Sequence, residues 1–221
     1  MAAKLLISAP SNSGKTTLLK DLTDALVISI DGKKFPYAIP HVNVGGFTNI
    51  TEFTDLISSK VQAYHDKLGK YPRTIAIDSV SRVFETMADN CNKAYTGFNI
   101  YTELNKEVAL FKNYLEDVVS SGTNLVIISH SIYDADTGRY KLVDQGSFSK
   151  AGGFLSVVDQ AVALEVKSGK RIVHHRSPKM AARTTLTPEE LDDKVDMAQY
   201  NLQDHIDILE GKHDEVAKFI L

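Results

Sequence analysis

The chain has 221 residues, with 25 Lys and Arg against 28 Asp and Glu, 43% hydrophobic residues, one cysteine and no tryptophan. That length can bury a core without disulfide or metal staples and allows one domain with a small appendage. The lone Cys91 excludes a disulfide framework within the chain, no apolar run approaches the ~20 residues that span a bilayer, and the opening MAAKLLISAP is too short and too soon interrupted for a signal peptide. A cytoplasmic address is expected. The net charge of −3 gives no global attraction to nucleic acid. Locally, however, Val166 to Pro188 carries six basic residues (Lys167, Lys170, Arg171, Arg176, Lys179, Arg183), two histidines and no acid. Glu189 to Leu221 holds ten acids and three bases, net −7, which leaves the first 188 residues at +4 within the total of −3.

In chain order, Lys4 to Ser8 reads as a short apolar strand, followed by a glycine-bearing loop and a helix from Gly14 to Leu26 with leucines at 18, 19, 22 and 26. A buried strand, Leu26 to Ile30, ends in Asp31. Pro36 and Pro40 break the chain, and His41 to Val44 reads as an edge strand before Gly45 and Gly46. Asn49 and Glu52 have capping-box spacing, opening a helix that keeps its apolar period through Leu68 and stops at Gly69. The strand Thr74 to Ile77 ends in Asp78. Helices are expected over Ser81 to Ala94 and Thr102 to Val119, then a strand over Leu125 to Ile128. This alternation predicts a mainly parallel α/β sheet covered on both faces. After His130 hairpins are expected, one turning at Asp134 to Gly138, another at Ser168-Gly169 between Gln160 to Val166 and Arg171 to His174. From Pro188 the composition is helical. The expected organisation is a core over 1–187 and an acidic helical segment over 188–221.

The string APSNSGKTT, Ala9 to Thr17, fits the phosphate-binding loop G-x-x-x-x-G-K-[ST] except for alanine at the first position, which the turn accepts if its φ stays negative. Such a loop curls backbone N–H groups around a β-phosphate, places a lysine on the β/γ oxygens and sets a hydroxyl on Mg²⁺. Ser11, Asn12, Ser13, Gly14, Lys15, Thr16 and Thr17 are therefore the expected nucleotide-binding residues, with ATP and Mg²⁺ as the expected cofactors. Asp78, ending the strand TIAID, is the expected metal partner of Thr16 and could also cap the next helix. Asp31 is either the carboxylate that polarises an attacking water or a turn residue before Gly32.

The order phosphate loop, strand ending in Asp31, TIAIDS, LVIISH, AGGFLSVVDQAVALEV and RIVHHR resembles the RecA-like core. It is most similar to the small phage RecA-like ATPases classed as phage nucleotide-binding proteins, some of which act in single-strand annealing or recombination. The resemblance covers about Leu5 to Leu186 and implies a RecA-like P-loop ATPase acting on single-stranded DNA, working as a homo-oligomer with nucleotide at the subunit interface, in the host cytoplasm if of phage origin. It implies that His130 senses the γ-phosphate, that Ile132 to Gly153 is the main DNA-binding loop and Arg82 to Asn105 contains the first, and that His174 and Arg176 reach a neighbouring subunit's nucleotide. Two departures stand out. The recombinases have glutamate where this chain has Asp31, which puts fast hydrolysis in doubt, and His174 replaces a lysine.

Single-strand binding needs basic residues along the backbone path and flat side chains for stacking. Arg139, Tyr140, Lys141, Phe148 and Lys150 supply them in the second loop. In the first, Lys93, Tyr95, Phe98 and Tyr101 are candidates, although the three-residue spacing of the aromatics reads more simply as core. Cys91 reads as a buried, unreactive thiol. A nucleotide-gated binding module with little hydrolysis is an alternative that Asp31 keeps open. A small-molecule nucleotide kinase fits less well, because its lid region would carry Asp134, Asp136 and Asp144 against only Arg139 and Lys141.

Overall fold

The computed structural model describes residues 1–32, 34–143 and 153–218. Its strands are β1 (Lys4–Ala9), β2 (Ala25–Ser29), β3 (His41–Asn43), β4 (Thr74–Asp78), β5 (Asn124–Asp134), β6 (Arg139–Leu142), β7 (Gln160–Lys167), β8 (Lys170–His174) and β9 (Lys194–Asp196). Helices are α1 (Lys15–Leu18), α2 (Ile50–Leu68), α3 (Val80–Ala94), α4 (Phe98–Ser120) and α5 (Leu202–Ala217). The sheet order is β3-β2-β4-β5-β1-β7-β8-β9, parallel from β3 to β7 and antiparallel thereafter, with β6 folding back on the far end of β5. The expected α/β sheet with late hairpins and a C-terminal helix is what forms.

Both faces are covered, which is why the central strands carry apolar side chains on both faces rather than alternating with polar ones. Leu6, Ile28, Ile75, Ile77, Leu125 and Ile127 face α2, α3 and α4, where Phe53, Phe84, Phe111 and Phe154 fill the layer. Their neighbours Leu5, Ile7, Val27, Ala76, Val126 and Ile128 face Leu18, Leu19 and Leu22 together with Leu202, Ile206 and Leu209 of α5. Helix α2 starts at Asn49, whose side chain accepts the Glu52 N–H at 2.9 Å, and ends at Gly69 with φ 72°. The Glu52 carboxylate closes the cap on the Thr48 N–H at 2.7 Å.

Two expectations on helix length need correction. The helix after the phosphate loop is only four residues, tightening to a 3-10 turn over Leu19–Asp21, because α5 takes over there. Asp21 accepts the Leu202 N–H at 3.4 Å, and Gln203 accepts the Thr23 N–H at 3.0 Å. The chain after Pro188 is helical only from Leu202; before that it supplies β9 to the sheet edge. Its acids are largely engaged: Asp193 pairs with Arg176, Glu190 with Lys212, and Asp207 and Glu210 with Arg73. Beneath this segment His175 and His205, 2% and 3% exposed, stack edge to face with ring centres 5.3 Å apart. His175 Nδ1 donates to Asp192 O at 2.6 Å, and His205 Nδ1 shares a hydrogen bond with the Tyr200 hydroxyl at 2.8 Å. Both Nε2 atoms are buried without a hydrogen-bond partner among the described residues. Among those residues no helix is long and apolar enough to cross a membrane.

Candidate functional site

The loop forms where β1 ends. Ala9 is still in the strand, opposite His130 of β5, with its φ outside the left-handed region, so the extra methyl is accommodated. The turn that follows needs positive φ at Asn12 (63°) and Gly14 (97°), and Ser13 Oγ ties it by donating to Pro10 O at 2.9 Å. Lys15 is buried and curls back over the loop, donating to Ala9 O and Pro10 O, each at 2.8 Å, with Nζ 3.3 Å from His130 Nδ1. Thr16 Oγ1 donates to Asp78 Oδ2 at 2.6 Å.

Register explains the convergence. β5 lies between β4 and β1, with Ile128 opposite Asp78 and His130 opposite Ala9, so the end of the parallel pairing presents Asp78, His130 and the loop to one another. Ser81, the second residue of α3, fixes His130 by accepting its backbone N–H at 2.8 Å. Asp31 lies two residues beyond β2, exposed, on the wall shared by two cavities. The larger, about 690 Å³, spans Ser11 to Thr17, Lys34, Tyr37, His130 and Arg171. The smaller, about 390 Å³, lies between Asp31, Ser79, Arg82, Glu85 and His130.

The structure thus brings together Lys15, Thr16, Asp78, Asp31 and His130. Thr16 and Asp78 are hard oxygen donors already within hydrogen-bond distance at the loop mouth, a donor set that fits Mg²⁺. Sequence reasoning missed the cavity's other lining. Tyr37 donates its hydroxyl to Thr16 O, and burial together with the Asp78 and Asp21 carboxylates pushes its phenol well above the ordinary range. Arg171 arrives from β8, on the opposite side.

His174 and Arg176 stand apart from that cluster. His174 Nε2 lies 2.9 Å from Glu165 Oε2 on the paired strand. Arg176 donates to Leu191 O and to Asp193 Oδ1, both at 2.8 Å, and to Leu186 O, so its guanidinium holds the 186–193 segment of its own chain.

Of the expected DNA contacts, Arg139 and Lys141 are exposed on β6, Lys141 paired with Asp134 and Tyr140 packed on Tyr133; Phe148, Lys150 and Asp144 lie outside the described residues. The first-loop aromatics correct the core reading. Tyr95, Phe98 and Tyr101 are 41%, 81% and 63% exposed, because α3 and α4 bury their other faces through Phe84, Met87, Leu104 and Val108. Asn90 donates to Phe47 O at 2.9 Å, in the segment after the carboxyl end of β3, so the α3–α4 turn stands on the same side of the sheet as the phosphate loop. Cys91 is buried, and desolvation pushes its thiol up, away from reactivity.

The family description AAA domain (AAA_24) matches residues 1–185. No curated protein sequence matches the chain. Among solved structures, similarity is found to a KaiC-like protein from the hyperthermophilic archaeon Pyrococcus horikoshii OT3, at 12% identity and a TM-score of 0.48 over 84% of this chain and 83% of that one. It is also found to an ATPase from the type III secretion system of pathogenic bacteria, at 14% identity and a TM-score of 0.47 over 74% of this chain and 51% of that one.

Proposed function

The chain belongs to the AAA domain family, and we propose that it binds Mg-ATP on the loop from Ser11 to Thr17, hydrolyses it, and couples this to single-stranded DNA in strand annealing or recombination. The observation that carries the reading is the convergence of Lys15, Thr16, Asp78 and His130 at the ends of three adjacent parallel strands. Lys15 neutralises β/γ oxygens once its ammonium leaves the Ala9 and Pro10 carbonyls for the stronger acceptor. Thr16 and Asp78 would hold Mg²⁺, which when bound offsets phosphate charge. Asp31 orients and deprotonates the attacking water, while His130 reads the terminal phosphate and passes its presence into β5.

Support for DNA comes from the exposed Tyr95, Phe98 and Tyr101 near Lys93, and from Arg139 and Lys141 on β6. Stacking rings beside scattered cations suit an unpaired strand of any sequence. In the homo-oligomer of this reading, Arg176 reaches a neighbour's phosphate only after giving up Asp193 and two carbonyls. A nucleotide-gated module that hardly hydrolyses ATP is the second reading, favoured by the short, exposed Asp31.

ATP turnover measured alone, with single-stranded DNA and with a nucleoside monophosphate panel separates these. Turnover raised by DNA supports the proposal; DNA binding that depends on ATP without turnover supports the gated module. Stimulation by a monophosphate alone contradicts both.

A further inference from the structure

Strand β8 reaches the phosphate loop only because the β7–β8 hairpin folds back beside β1. A Cβ placed on Gly14 would meet Met197 Cε at 3.1 Å, and Met197 Sδ and Arg171 Cδ at 3.4 Å. These two side chains therefore lie against the residue that opens α1. They are coupled to each other, since the Met197 N–H donates to Arg171 O at 2.9 Å just past the β8–β9 ladder. Glycine is required here twice, for its φ of 97° and for the room that Met197 and Arg171 occupy.

Arg171 is exposed, lines the 690 Å³ cavity with Lys15 and Thr16, and makes no side-chain hydrogen bond or ion pair with a described residue. Its guanidinium carries donors only, in a planar fork matched to phosphate oxygens. With its Cδ already against Gly14, the side chain lines the same cavity as Ser11 to Thr17.

We propose that Arg171 is a nucleotide-binding residue acting in cis: its guanidinium takes phosphate oxygens of the nucleotide on its own chain's loop, with Met197 as an apolar cover beside it. This rests on the nucleotide-binding reading above. Because the contact falls beside Gly14, where the loop grips the diphosphate common to ATP and ADP, it strengthens both ligands alike rather than favouring the triphosphate. It also makes the C-terminal β9 segment part of the nucleotide site, through Met197.

The test is calorimetry with Mg-ATP and Mg-ADP on the wild-type chain and on Arg171→Ala, Arg171→Gln and Arg171→Lys. Loss of a charge-assisted phosphate contact should weaken both nucleotides together by about tenfold or more. Lysine should recover part of the loss, and each variant should keep the wild-type melting temperature without nucleotide. Adding Lys15→Ala protein, which carries an intact Arg171, should restore nothing. Affinities within twofold of wild type for Arg171→Ala and Arg171→Gln, a loss confined to ATP, or recovery on mixing would overturn the proposal. A wild-type chain that binds neither nucleotide overturns the proposed function itself.

Discussion

Acid should destabilise this fold through the buried histidine pair, and the size of the effect can be worked out from His205. Burial, with the neighbouring His175, pushes its pKa down to about 3 from an ordinary 6.5. His175 is lowered in the same direction, first by burial and also by Arg176, against the raising influence of its bond to Asp192 O. Between pH 6.5 and 3 the unfolded chain therefore holds a proton on residue 205 that the folded chain does not. Stability contributed by the neutral form is full above pH 6.5 and falls by about 1.4 kcal/mol per unit as the pH drops below it. From pH 7.5 to 5.0, residue 205 alone costs roughly 2 kcal/mol, a large share of a typical 5–15 kcal/mol. Urea unfolding at both pH values, compared between wild type and His205→Gln, isolates the contribution because every other titrating group is common to both. The glutamine variant should be less stable at pH 7.5, having disturbed the bond to Tyr200, yet should lose about 2 kcal/mol less on acidification. Parallel losses in the two proteins would show that His205 does not carry the acid sensitivity.

Phe98→Ser and Tyr101→Ser should each weaken single-stranded DNA binding by about 1–3 kcal/mol while leaving the melting temperature within a degree or two, since both rings are exposed; equal affinity by fluorescence anisotropy would remove the α3–α4 turn from the interface. Phe84→Ala, which empties the contacts with Phe111 and Phe154, should cost about 3–5 kcal/mol in urea unfolding. Arg176→Ala leaves Leu186 O, Leu191 O and Asp193 without their donor and should destabilise by about 1–3 kcal/mol; a variant as stable as wild type would show that the 186–193 segment does not depend on it.

The nucleotide site was legible where chemistry is written locally. The phosphate loop sets the spacing of Gly14, Lys15 and Thr16 within a few residues, and an aspartate ending an apolar strand marks Asp78. Capping at Asn49 and the Ser168-Gly169 turn, with φ of 50° and 77°, are local in the same sense. What escaped depends on long-range packing. Arg171 and Met197 meet Gly14 only through the β8–β9 ladder, and no pattern near either residue signals it. The leucines after Gly14 have helical spacing, yet the helix gives way to a 3-10 turn over Leu19–Asp21, where Asp21 and Thr23 meet Leu202 and Gln203 of a segment distant in sequence. The three-residue spacing of Tyr95, Phe98 and Tyr101 is common to the inner and outer faces of a helix, so periodicity alone placed them on the wrong side. For Arg176, composition marks a cation but not that two backbone carbonyls and Asp193 would take it.

In the proposed function the loop from Ser11 to Thr17 grips a nucleotide through Lys15. Isothermal calorimetry of Mg-ATP with wild type and Lys15→Ala measures that grip. Wild type should bind one ATP per chain, less tightly without Mg²⁺, and the variant, its fold monitored by circular dichroism, should lose at least about a hundredfold in affinity, near 2.7 kcal/mol. Wild-type protein that binds no ATP, or a folded Lys15→Ala protein that binds it as tightly as wild type, would contradict it.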